Sequence, residues 1–136
     1  MNMQNDEVLT HNIFLEMVIM IVAVIGSRGI KLDNLGDYLP DDLTEIVSGG
    51  AKGVDTTARE YATEHGIKLT EFLPEYNRYK RGAPLKRNIQ IAEYADKVLA
   101  FWDGKSRGTK FVIDYCKNNN IPVGVIVVNP TQIQAE

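Results

Sequence analysis

Five short apolar runs alternate with stretches whose apolar residues recur at helical spacing, and few folds accept that alternation. The runs fall at about 18–25, 44–48, 68–73, 98–102 and 123–128, with helices expected over 32–39, 54–65, 84–95 and 108–118. Strand–helix alternation calls for a parallel sheet with helices on both faces and right-handed crossovers. Runs 18–25 and 98–102 are continuously apolar, as central strands are, whereas 68–73 alternates polar and apolar residues like a half-exposed edge. The expected architecture is therefore α/β, a doubly wound, mainly parallel five-stranded sheet in the order 3-2-1-4-5. Leu32, Leu35 and Leu39 mark one face of the first helix, which Gly36 weakens. Val54, Ala58, Tyr61 and Ala62 mark the second, stopped by Gly66, and Leu85, Ile89 and Ala92 are expected to face inward from the third.

In such a sheet ligands bind at the carboxyl edge, where the strand order reverses between strands one and four. Three glycine-containing loops fall at that edge: Gly26-Ser27-Arg28-Gly29, the turn through Gly49, Gly50, Ala51 and Gly53, and Asp103-Gly104-Lys105-Ser106-Arg107-Gly108-Thr109. Glycines let another group approach the backbone, and the first amides of a following helix point into such a turn with the helix dipole behind them. Each loop alone reads equally as a plain turn. All three together favour a nucleotide-sized anion over an empty crevice.

Arg28 follows a central strand and suits a phosphate, the alternative being a surface ion pair. Ser27 either donates to the same phosphate or caps a turn. Asp55, in a helix's first turn, either caps or holds a ribose hydroxyl. Asp55 and Asp103 are the weak candidates for acid/base chemistry. The segment 78–88, with Arg81, Arg87 and Asn88, is the most basic in the chain and has Tyr76 and Tyr79 beside it. It reads as a mobile lid over the carboxyl edge that clamps phosphates while a ring stacks on a base, or else as a solvated loop. Trp102 suits a core or pocket wall, and Cys116 a buried, inert position.

Composition narrows the setting. A chain of 136 residues, 44% hydrophobic, supplies one core, expected at 18–129 with a polar tail at 130–136. A net charge of -3 argues against a general nucleic-acid coat protein. The single cysteine cannot form an internal disulfide, which fits a reduced, cytoplasmic setting, and His11 and His65 give no metal signature. The apolar stretch 13–25 is interrupted by Glu16, follows no basic residue and is too short to span a membrane. Residues 1–17 are thus an extension without an assigned role, and Met17 and Met20 are alternative starts. Ile13, Phe14 and Leu15 could instead cover a sheet edge or a partner subunit. The last strand is as apolar as a central one, so that cover, or a homodimer or higher homo-oligomer, is expected at its edge.

From about residue 20 to 128 the chain resembles the SLOG superfamily, the Rossmann-like domains named for the Smf/DprA and LOG proteins, and within it the small single-domain YspA/YpsA-like branch. The resemblance rests on Val24-Ile25-Gly26-Ser27-Arg28, Ser48-Gly49-Gly50-Ala51-Lys52-Gly53-Val54-Asp55, Arg87-Asn88 with Ile91, Ala95-Asp96, and Trp102-Asp103-Gly104 with Ser106 and Gly108-Thr109. It implies a Rossmann-like domain that binds or senses a nucleotide or nucleotide derivative, with no certain cofactor and often no assigned reaction. The phosphoribohydrolases of this superfamily carry a catalytic glutamate three residues beyond a glycine-threonine pair. Val112 stands there instead, and Asp114 lies on a different helical face. Base-releasing hydrolysis is therefore the alternative, and a DprA-like single-stranded DNA binder the third reading.

Overall fold

The computed structural model describes residues 18–129. The roles considered for 1–17, including Ile13, Phe14 and Leu15, and for 130–136 lie outside the described residues. The sheet contains β1 (Ile21–Gly26), β2 (Glu45–Ser48), β3 (Lys68–Glu71), β4 (Lys97–Trp102) and β5 (Val123–Val127). All pairs are parallel and the order is β3-β2-β1-β4-β5, as the apolar pattern predicts. The helices are α1 (Val54–His65), α2 (Tyr76–Tyr79), α3 (Ala83–Tyr94) and α4 (Arg107–Asn118).

The two-residue period of the strands divides the interior. Val22, Val24, Ile46, Leu99 and Phe101 face α1, with Val54 and Ala58, while Ala23, Val47, Val98 and Ala100 face α3 and α4, with Ile91, Val112 and Cys116. Burying each such valine or isoleucine is worth roughly 1.5–3 kcal/mol, so β1 and β4 anchor the sheet. At the opposite edge no residue of β3 is buried.

Four local expectations change. β1 begins at Ile21, not at residue 18, because the Met20 backbone is bonded to Thr44 and Glu45 and Val18 and Ile19 are exposed. The segment at 32–39 forms only a 3₁₀ turn, Leu35–Tyr38, that buries Leu35 and sets Tyr38 edge-on against Phe101 at 5.3 Å. Between β3 and α3, where the sequence predicts no helix, lie α2 and a second 3₁₀ turn, Lys80–Gly82. Lastly, α3 starts at Ala83, and its buried stripe runs Ala83, Arg87, Ile91 and Ala92. Leu85 is thereby turned outward, 42% exposed, and an arginine takes the inward position expected of a leucine.

Candidate functional site

The loops after β1, β2 and β4 enclose a crevice of about 480 Å³ at the carboxyl edge, at the switch point between β1 and β4. Its walls are made by Gly26, Ser27 and Arg28 from the first loop, by Gly49, Ala51 and Asp55 from the second, and by Asp103, Ser106, Gly108 and Thr109 from the third. Arg87 and Asn88 enter from α3. Gly50, Gly53, Arg81 and Gly104 do not line it, and Arg81 is exposed. Gly29, from the first loop, and Val112, at the position of the phosphoribohydrolase glutamate, do line it, as do Ile25, Pro84 and Ile91, which are not among the expected ligand-binding residues.

The first and third loops are stitched together by Ser27. Its backbone N–H donates to Phe101 O at 3.0 Å, and its Oγ accepts the Asp103 N–H at 3.2 Å. The hydroxyl keeps its own proton to donate. Asp103 Oδ1 accepts the amides of Lys105 at 2.8 Å and Ser106 at 2.7 Å. Those amides, Ser106 before Lys105, hold its carboxyl below the usual value. Ser106 then caps α4, its Oγ accepting the Thr109 N–H, while Trp102 Nε1 donates to Ser106 O at 3.0 Å and walls the loop. The leading amides of α4 have no partner within the helix and sit beside Gly108 and Thr109.

The second loop is fastened from two sides. Asp55 Oδ2 accepts the Ala51 N–H at 2.9 Å, closing the turn at the start of α1. Arg87 Nη1 donates to Gly49 O at 2.7 Å and to Phe72 O at 3.4 Å, while Nε donates to Asn88 Oδ1 at 2.8 Å. A Cβ on Gly49 would lie 2.5 Å from Arg87 Nη1, so the guanidinium occupies the space that glycine leaves. Burial raises the Asp55 carboxyl, against the opposing pull of the Ala51 amide and Arg87. Burial likewise lowers Arg87, which Asp55 partly offsets, and Arg28 is near enough to lower it further. Arg87 remains charged nonetheless.

Gly53 has a different function from the one expected. The group that approaches its backbone is the first loop itself, with a would-be Cβ 2.3 Å from Arg28 O. Arg28, by contrast, is exposed and makes no hydrogen bond or ion pair within the described residues. Val112, at the position of the phosphoribohydrolase glutamate, lines the crevice and is 2% exposed. Asp114 is paired with Lys110 at 2.7 Å on the outer face of α4. Cys116 is buried, and burial pushes its thiol up. Among the described residues no cluster of three or more His, Cys, Asp or Glu could hold a metal, and no helix is long and apolar enough to cross a membrane.

The two crevice carboxylates respond to pH in opposite senses. Asp103 sits below its ordinary 3.8, so its stabilisation is present above 3.8 and lost as pH falls through the folded-state value. Asp55 sits above 3.8, so its contribution is full below 3.8 and lost as pH rises through its folded-state value. Asp103→Asn is expected to cost on the order of 1 kcal/mol at neutral pH, the worth of a capping side chain. Thermal melts across the acid range should show that difference closing below pH 3.8.

Residues 20–79, which hold the first two loops of the crevice, match the family YAcAr, described as the YspA, cpYpsA-related SLOG family. The chain has no match among curated proteins and none among solved structures.

Proposed function

We propose, for a chain whose residues 20–79 match the YspA- and cpYpsA-related SLOG family, that the crevice binds and senses a nucleotide or nucleotide derivative. The observation that carries this reading is Arg28, an arginine at the crevice wall with no partner in the described protein. It shares that wall with Arg87, close enough for the two cations to repel, and a phosphate between them would relieve the repulsion. The first two amides of α4, those of Arg107 and Gly108, lie at the crevice beside Ser106 and suit a second anionic oxygen, the Thr109 and Lys110 amides being bonded to Ser106. Ser27 and Thr109 add hydroxyls, Thr109 Oγ1 itself accepting the Ser106 hydroxyl at 3.2 Å.

Sensing is favoured over turnover because Val112 cannot supply a carboxylate and Asp103 Oδ1 is taken up by two amides of its own loop. One observation favours the alternative, a nucleotide hydrolase: Asp55 is a buried crevice carboxylate whose affinity for a proton is raised by burial. Asp55→Asn separates the two, since an enzyme would lose turnover and keep ligand.

Native mass spectrometry of gently purified protein, with the released small molecule identified after denaturation, tests the reading directly. Arg28→Ala is expected to weaken nucleotide binding by about 10- to 100-fold, a charge-assisted hydrogen bond being worth about 1.5–3 kcal/mol. The unliganded melting temperature should stay unchanged, because Arg28 supports nothing within the fold. No released nucleotide, and no stabilisation by any member of a nucleotide panel, would remove the proposal.

A further inference from the structure

The sheet's two edges are built differently. β3 is short and carries Lys68 and Glu71, the latter paired with Arg59 at 2.9 Å, and such charges guard an edge against pairing. β5 has no such guard. From Ile121 to Val128 there is no charged residue, and Val125 and Val127 are 38% and 66% exposed.

The backbone of β5 has a defined polarity. Pro122 O accepts the Val98 N–H at 2.9 Å, and the Val128 N–H donates to Trp102 O at 2.8 Å. In a strand the N–H and C=O of one residue point to the same side, and the side alternates along the chain. The even-numbered residues of β5 therefore face β4, and Val123, Val125 and Val127 turn their N–H and C=O groups to the open edge. Val123 packs in the α3–α4 interior and Ile126 in the α1 interior, so the exposed valine side chains share the α4 face.

We propose that this edge is the docking surface for a second copy of the chain, β5 pairing antiparallel with its own copy about a two-fold axis through Val125. A two-fold axis presents the same patch to itself, and antiparallel pairing is the strand arrangement it generates. Centred on Val125, Val125 lies opposite its own copy and Val123 opposite the copy of Val127. All three outward-facing residues then meet as hydrogen-bonded pairs, and no unpaired N–H or C=O is left within β5. Every pair on the α4 face is valine against valine, the kind of β-branched contact that stabilises neighbouring strands, and no like charges meet.

Sedimentation of the full chain at micromolar concentration is expected to report a dimer. Val127→Lys places a charge in the interface at a site exposed in the single chain, and is expected to give a folded monomer with an unchanged melting curve at low concentration. Register is read separately by mild oxidation. Val125→Cys should give a covalent dimer, while Val127→Cys should not, its copy lying about 13 Å away. The native Cys116 is buried and does not compete. A monomeric full chain overturns the proposal, whether residues 1–17, residues 130–136 or nothing covers the edge. So does a dimer that survives Val127→Lys, or one that crosslinks through Val127→Cys and not through Val125→Cys.

Discussion

Arg87→Met is expected to lower stability by about 3 kcal/mol, although it exchanges a charged side chain for an apolar one of similar length inside the protein. Arg87 is 9% exposed, and its guanidinium donates to Gly49 O, Phe72 O and Asn88 Oδ1. Methionine would fill the volume and satisfy none of these acceptors, and a hydrogen bond to a charged donor is worth about 1.5–3 kcal/mol. Asp55 would also lose the cation that pulls its carboxyl down, so its proton affinity should rise further above the ordinary range. For a domain of this size the change corresponds to roughly 10 °C in melting temperature. Arg87→Lys should fall between the two, because a single ammonium keeps the charge but cannot make the forked contacts. A melting temperature within about 2 °C of the native value for Arg87→Met would mean that the second loop is held by other contacts.

Gly53→Ala is expected to be as damaging, through backbone alone. Gly53 has φ 78 and ψ -120, a conformation that residues with a Cβ avoid at a cost of about 1–3 kcal/mol. The new Cβ would also meet Arg28 O at 2.3 Å, Arg28 C at 2.8 Å and Ile30 O at 3.0 Å, all main-chain atoms that cannot swing aside. The total should reach about 3 kcal/mol or more, and the displaced first loop would take Arg28 out of the crevice, so ligand binding fails with stability. Gly66→Ala is the control. Gly66 also has positive φ, at 64, but a Cβ there meets nothing within 4 Å, so only the left-handed penalty of about 1–2 kcal/mol applies. Equal unfolding midpoints for the two variants in denaturant would show that the close approach to Arg28 contributes nothing.

The elements most legible in the sequence are those set by local periodicity and by strong stops. The apolar runs of β1 and β4, the alternation of β3 and the glycine after His65 each carry their own physical signal, and together they fix the strand order without reference to contacts. The three loops follow from that order, because in a parallel sheet every strand-to-helix turn lies on one edge. The SLOG resemblance could be read from the same turns, and the family match over residues 20–79 includes two of them.

Tertiary packing decided the rest. Which face of α3 packs on the sheet determines whether Leu85 or Arg87 turns inward, and that choice depends on the sheet beneath it. Burying Arg87 created the need for glycine at position 49, so two residues far apart in sequence explain each other only once folded. Gly53 shows the same division. Its sequence context announced a close approach, and the fold alone revealed that the approaching group is the protein's own first loop, while the side chain of Arg28, whose carbonyl makes that contact, is left at the crevice without a partner. A sequence encodes backbone freedom and periodicity position by position; which groups use that freedom is a property of distances between segments, and only the assembled sheet sets those.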